Sequence, residues 1–241
     1  MNILTVIINE NKMLDEASLE IFSFIDDLEP SNKITTLVFG GEKSIISNLP
    51  SDEIFYVSID KSEELNPNSV LQTIDKFTNE KKFDLIIFQK DDISNYVAPS
   101  LSFRKDFSYL PDVKKFVSKN EREIKFVRPV HGESAEAIYS VDTDSTIVIK
   151  IRKSSFEAKS LGDHSNSVNE IILEKSLDST FKIIETKKVK PEGIQLDEAD
   201  IVISGGRGIG SKEGFDNLKK LATLLNGAVG ASRAAVESEW I

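Results

Sequence analysis

"ILTVIINENKMLDEASLEIFSFIDDL", Ile3–Leu28, sets the architecture. Its first part, ILTVIIN, is a near-continuous apolar run of strand length, the pattern of a strand covered on both faces. The rest, LDEASLEIFSFIDDL, spaces Leu14, Leu19, Phe22, Ile25 and Leu28 as one side of a helix. The same alternation then repeats along the chain. ITTLVFG reads as a strand, EKSIIS as a short helix, EIFYVSI as a strand, NSVLQTIDKFTNEKK as a longer helix and FDLIIFQ as a fourth strand. Pro67 places the start of the longer helix at Asn68 or Ser69. Strands alternating with helices predict a parallel sheet with right-handed crossovers, hence an α/β fold.

After Phe88 the pattern changes. SNYVAPSLSFRKDF reads as a helix that Pro99 kinks or ends. EIKFVRPVHG, AEAIYSVD and STIVIKIR are consecutive strands joined by polar turns, including Asp142–Ser145, so the sheet is expected to gain antiparallel members. SSFEAKSLGDHSNSVNE, Ser154–Glu170, reads as a mobile loop, and FKIIETKKV as the last strand of this region. KPEGIQLDEA then marks a boundary. The expected organisation is an N-terminal α/β domain over residues 1–190, a linker at 191–195 and a second domain from residue 196.

Composition narrows the function. The chain has 241 residues, 39% of them hydrophobic and 29% charged, which suits a soluble globular protein. Its formal net charge of -10 argues against general nucleic-acid binding. It contains no cysteine, so disulfides, thiolate catalysis and thiolate metal sites are out. His131 and His164 are the two histidines; they lie in unlike contexts and suggest no metal centre. The first residues carry no basic leader, and no apolar run is long enough to cross a bilayer, so a cytoplasmic location without membrane contact is expected.

The most informative segment is ADIVISGGRGIGSKEGFDNLKKLATLLNGA, Ala199–Ala228. Ile201, Val202 and Ile203 read as a short buried strand. Ser211 is placed to cap the following helix, with Glu213 in its first turn. Phe215, Leu218, Leu221, Ala222 and Leu225 form its apolar face, and Asn226-Gly227 ends it. This puts backbone N–H groups at the carboxyl end of a strand, where α/β sheets hold anionic ligands. Neither familiar phosphate fingerprint fits. G-x-G-x-x-G ends on Ser211 when begun at Gly206 and on Glu213 when begun at Gly208. The P-loop order is transposed to Gly210-Ser211-Lys212. What remains is Arg207 in one glycine turn and Ser232-Arg233 in a second, GASRAAV. These could form a guanidinium clamp for a phosphate or an electron-rich ring edge. They read equally as tight turns with solvated arginines.

VISGGRG, the helix GFDNLKKLATLLNGA and VGASRAAVESEWI together resemble the start of the flavin-binding domain of the electron transfer flavoprotein alpha subunit. Upstream, LDEASLE, FVRPVHG and IKIRKSSFEA are more loosely similar to that family's N-terminal domain. The resemblance implies an electron carrier rather than an enzyme. It would be an FAD-containing alpha subunit paired with a beta subunit of similar fold, taking electrons from an acyl-CoA or other dehydrogenase. By motif, Gly206, Arg207 and Ser232 would contact FAD, and Arg233 would lie near the isoalloxazine ring. A guanidinium there stabilises the negative charge of reduced flavin and raises its potential. Residues 196–241 would be the first part of a doubly wound FAD-binding domain. The family's Gln-Thr-Gly and Ser-Gly-Ala-Ile-Gln-His turns lie outside this sequence, so these residues supply only part of the FAD pocket. A unit of this size is marginal as an independent fold. The alternatives are an alpha-like scaffold that pairs with a beta-like partner without flavin, and a nucleotide-binding enzyme of another doubly wound family.

Overall fold

The structure is a computed structural model and describes residues 1–9, 14–28, 31–59, 65–162, 166–173, 193–196 and 199–241. The chain divides into two compact units, Met1–Lys182 and Ile183–Ile241.

In the first unit, β1 (Asn2–Ile8), β2 (Lys33–Phe39), β3 (Glu53–Ser58) and β4 (Leu85–Phe88) are the four expected strands. Between them lie α1 (Glu16–Asp26), α2 (Lys43–Ile46) and α3 (Pro67–Glu80), and α4 (Asp92–Lys105) follows. β5 (Ser108–Val113), β6 (Lys115–Lys119), β7 (Glu123–Val130), β8 (Ala135–Asp142), β9 (Ile147–Ile151) and β10 (Val168–Ile172) complete the unit. A seven-stranded sheet runs β10-β3-β2-β1-β4-β9-β5, with every pairing parallel. β6, β7 and β8 pair antiparallel with one another. Of the three strands expected to be antiparallel, β7 and β8 are, but in a separate sheet with β6, whereas STIVIKIR is β9 and runs parallel between β4 and β5 in the large one.

The apolar run of β1 is explained by burial on both faces. Ile3 and Ile7 belong to a core layer with Ile21, Phe22, Phe24 and Ile25 of α1. Leu4, Val6 and Ile8 point the other way, into a layer with Val70, Leu71, Ile74 and Phe77 of α3 and Val97, Ala98 and Leu101 of α4. The small antiparallel sheet joins the α1 side through Ile124 and Phe126, whose ring lies 6.3 Å from that of Phe24.

Several local expectations shift. Asn66, not Asn68 or Ser69, caps α3; its side chain accepts from the Asn68 N–H, and Pro67 occupies the first turn, where a missing N–H costs nothing. α4 continues through Pro99, because burial of Val97, Ala98 and Leu101 outweighs the lost hydrogen bond. β5 escapes a reading by pattern because it contains Pro111, has Asp112 at φ 59° and changes register between Leu110 and Val113. Those are edge-strand features, and β5 is an edge. Part of the segment expected to be a loop, Val168–Glu170, belongs to β10, which pairs with β3 in parallel. The strand expected at FKIIETKKV lies outside the described residues, as does His164.

Candidate functional site

The second unit contains β11 (Val202–Gly205), a 3-10 turn at Arg207–Ile209, α5 (Lys212–Leu224), β12 (Ala228–Ala231) and α6 (Arg233–Glu237). β11 and β12 are parallel neighbours, from Val202 beside Ala228 to Gly205 beside Ala231. This is the strand–turn–helix–strand unit expected from the sequence, with one difference. Ile201 and Val202 are exposed rather than buried, as are Leu221, Leu224 and Leu225 on the helix. Among the described residues, the buried apolar ones of this unit are Phe215 and Ala222 on the helix with Ala228 and Ala235 beyond it.

The turn is built by close approach. A side chain at Gly205 would place its Cβ 2.6 Å from Leu218 Cδ1 and 2.9 Å from Phe215 Cε1, so glycine lets the helix seat directly on the strand end. The chain then closes through Ile209 N–H donating to the Gly206 carbonyl at 3.0 Å, and Gly210 adopts φ 79° to turn into α5. Ser211 caps that helix by accepting from Gly214 N–H at 3.3 Å. Glu213 is held below the usual carboxylate range by its own backbone N–H and the Ser211 hydroxyl. At the far end Asn226 takes φ 52°, and Gly227 N–H donates to Ala222 at 2.8 Å, the anticipated stop.

The two turns meet at the carboxyl ends of the strands. Ser232 N–H donates to the Gly205 carbonyl at 2.9 Å, which extends the parallel ladder by one rung. Ser232 thereby lies beside Gly206, whose absent Cβ would be 3.5 Å from Ser232 Oγ. Ser232 occupies the cap position of α6, yet its hydroxyl makes no cap bond; its carbonyl accepts from Ala235 and Val236 instead. The structure brings Gly206 and Ser232 together and sets Arg207 and Arg233 next along each chain. It does not close the two arginines into a clamp. The Arg233 side chain is 91% exposed and its Nε donates to Glu237 Oε1 of the same helix at 2.7 Å. Arg207 is exposed and has no side-chain partner among the described residues.

A second crevice went unforeseen. Where the order of the large sheet reverses, between β1 and β4, Ile8, Asn9, Asp15, Gln89 and Asp91 line a cavity of about 340 Å3. This is the usual ligand position of a doubly wound sheet. Here the first turns of α1 and α4 are already occupied by the chain's own Asp15 and Asp91, each accepting from a backbone N–H. Burial pushes the Asp91 carboxyl up, against hydrogen bonds from Ser94 that pull it down. The signal was present in the sequence as Asp-x-x-Ser at both helix starts. Among the described residues no cluster of histidine and carboxylates suits a metal ion, and His131 sits exposed on the β7–β8 hairpin. Nor is any described helix long and apolar enough to cross a membrane.

A doubly wound parallel sheet followed by a second parallel unit with glycine turns at its strand ends defines a two-unit α/β protein. Residues 3–176 match the electron transfer flavoprotein domain, and residues 195–241 match the electron transfer flavoprotein FAD-binding domain. The chain belongs to the electron transfer flavoprotein family, in its alpha-subunit line. It is 35% identical to the electron transfer flavoprotein subunit alpha of Bacillus subtilis over 159 residues, 65% of this chain and 48% of that one. With protein FixB of Clostridium saccharobutylicum it shares 26% identity over 214 residues, 87% of this chain and 64% of the relative. A shorter stretch of 64 residues, 27% of this chain, is 50% identical to the alpha subunit of Thermoanaerobacterium thermosaccharolyticum, covering 19% of that protein. The chain thus spans about half to just under two thirds of the length of the first two relatives.

Proposed function

We propose that the chain is the FAD-containing alpha subunit of a heterodimeric electron transfer flavoprotein, a cytoplasmic electron carrier rather than an enzyme. In this reading residues 1–190 form the N-terminal domain and residues 196–241 the first part of the FAD-binding domain. The partner is a beta subunit, and the electron donor is an acyl-CoA dehydrogenase or another dehydrogenase.

The observation that carries the reading is the closeness of Gly206 and Ser232 just past the ends of two adjacent parallel strands. The residues fit a flavin nucleotide. Gly206 presents bare backbone, the Ser232 hydroxyl is not consumed by capping, and the Arg207 guanidinium is exposed and unpaired among the described residues. Bound FAD would supply reversible electron transfer. Ser232 and the Gly206 backbone would orient it, and Arg207 would neutralise phosphate charge. Arg233, released in part from Glu237, would hold positive charge beside the ring system. The flavin-free scaffold reading has no observation in its favour, and the match of residues 195–241 to the FAD-binding domain supports the flavin reading.

The test is assembly. The chain is combined with a beta subunit and with the portion of the FAD-binding domain that longer relatives carry, supplied with FAD, and the visible spectrum is recorded. Flavin absorbance that co-elutes with protein supports the reading; a stable colourless heterodimer overturns it.

A further inference from the structure

Glu20 of α1 is only 4% exposed, yet no lysine or arginine pairs with it among the described residues. Its carboxylate is satisfied by backbone. Oε1 accepts from Ser154 N–H at 2.9 Å, and Oε2 accepts from Ser155 N–H at 3.2 Å and Phe156 N–H at 3.4 Å. A buried carboxylate requires donors of this kind. Conversely, consecutive N–H groups that converge on one point form an anion-binding concavity. Ser154 sits at φ 61°, the left-handed conformation that turns neighbouring N–H groups toward a common side.

The place is informative. Ser154–Phe156 begins three residues after the end of β9, at the carboxyl end of a strand in a wholly parallel sheet, the side on which such sheets receive anions. The same segment starts the connection that leaves β9 near one edge of the sheet and ends in β10 at the other. Further contacts hold this segment on α1. Ser23 Oγ donates to the Glu157 carbonyl at 2.6 Å, Lys159 pairs with Asp26 at 2.6 Å, and the Phe156 ring meets Phe24 edge-on at 5.3 Å. The turn therefore has support that does not involve Glu20.

We propose that Ser154–Phe156 is a binding site for a small planar carboxylate, which the chain fills with its own Glu20, and that this internal ligand latches the β9–β10 connection onto α1. Both carboxylate oxygens are engaged, one by Ser154 N–H and the other by Ser155 and Phe156 N–H. The inference is independent of the flavin reading and uses no residue of that site.

The experiment uses the full chain with Glu20→Ala and follows amide hydrogen exchange over Ser154–Phe156 in formate or chloride at equal ionic strength. Loss of charge-assisted hydrogen bonds is expected to speed exchange there about tenfold relative to the unsubstituted chain. Formate is expected to restore protection, and chloride is not. Unchanged exchange in the variant, or equal effects of the two salts, overturns the proposal. Should Glu20→Ala fail to fold, Glu20→Gln takes its place. One oxygen then becomes an amide that cannot accept, so exchange at one or more of the three amides is expected to accelerate; no acceleration overturns the proposal.

Discussion

The Ser232 backbone N–H donates to the Gly205 carbonyl oxygen at 2.9 Å, one rung beyond the last paired residues of β11 and β12. That single bond aligns the two glycine-containing turns and sets Ser232 against Gly206. It also separates two roles for glycine that look alike in sequence. A Cβ on Gly214 would lie 2.4 Å from Ile209 Cγ2 and 3.1 Å from its carbonyl, whereas a Cβ on Gly206 meets nothing nearer than 3.5 Å. Gly214→Ala should therefore destabilise by about 1–3 kcal/mol through overpacking. Gly206→Ala should leave stability within about 0.5 kcal/mol and weaken flavin uptake by the assembled protein. Thermal unfolding and flavin titration, run on both variants, would separate the two.

Arg233 donates to Glu237 and is otherwise exposed, so its charge is partly neutralised along its own helix. In the flavin-loaded assembly, Arg233→Ala should lower the flavin midpoint potential. Glu237→Gln should raise it, by removing the competing carboxylate. A shift on the order of 30 mV for a two-electron couple corresponds to about 1.4 kcal/mol of electrostatic stabilisation. Potentiometric titration checks both signs; shifts of the same sign would contradict the placement of Arg233 beside the ring.

What could be read in advance followed the strength of the local pattern. β1 and β4 are buried on both faces, and their unbroken apolar runs announce a parallel sheet. α5 announces itself through the Ser211 cap and the Asn226-Gly227 stop, because these are short-range chemistry. β5 and β10 are edge strands carrying a proline or exposed polar residues, and their pairing is decided by strands far away in sequence. The separate antiparallel sheet is invisible for the same reason: alternation in β7 shows a strand, not which sheet it joins. At the candidate site, the two turns that carry Gly206, Arg207, Ser232 and Arg233 were legible as turns at strand ends. Orientation was not, since the Arg233–Glu237 bond depends on where α6 begins. Glu20 gave no signal at all, because its partners lie more than a hundred residues away.

Glu53 accepts from Lys33 and Lys81, and these hydrogen bonds, more than the charges themselves, lower its carboxyl to about 2. A depressed folded value means that the stabilisation is complete above the unfolded value near 4.5 and disappears as pH falls toward 2. The pair with Lys33 spans 2.8 Å and its side chains are partly in water, so its worth is on the order of 0.5–1 kcal/mol after screening. Glu53→Gln should lower stability at neutral pH by about that amount, and the gap from the unsubstituted chain should close between pH 4.5 and 2. Urea unfolding across that range gives the measurement; a gap independent of pH would show that packing, not charge, is responsible.

Asp91 behaves in the opposite sense. Burial dominates and raises its carboxyl, although Ser94 N–H donates to Oδ1 at 2.7 Å and the Ser94 hydroxyl to Oδ2 at 2.5 Å. With the folded value above the unfolded one, ionisation costs the native state free energy, absent below the unfolded value and fully developed once pH exceeds the folded value. Asparagine can accept the capping bond from Ser94 N–H without carrying the charge. Asp91→Asn should therefore raise the thermal midpoint at pH 7, and the advantage should shrink as pH falls through the raised folded value and be gone below the ordinary carboxyl value near 3.8, where the aspartic acid is neutral in both states. Thermal unfolding of both proteins across this range decides it: a variant less stable at pH 7 would mean that the second carboxylate oxygen, which accepts from the Ser94 hydroxyl, outweighs the burden of a half-closed crevice around a charge.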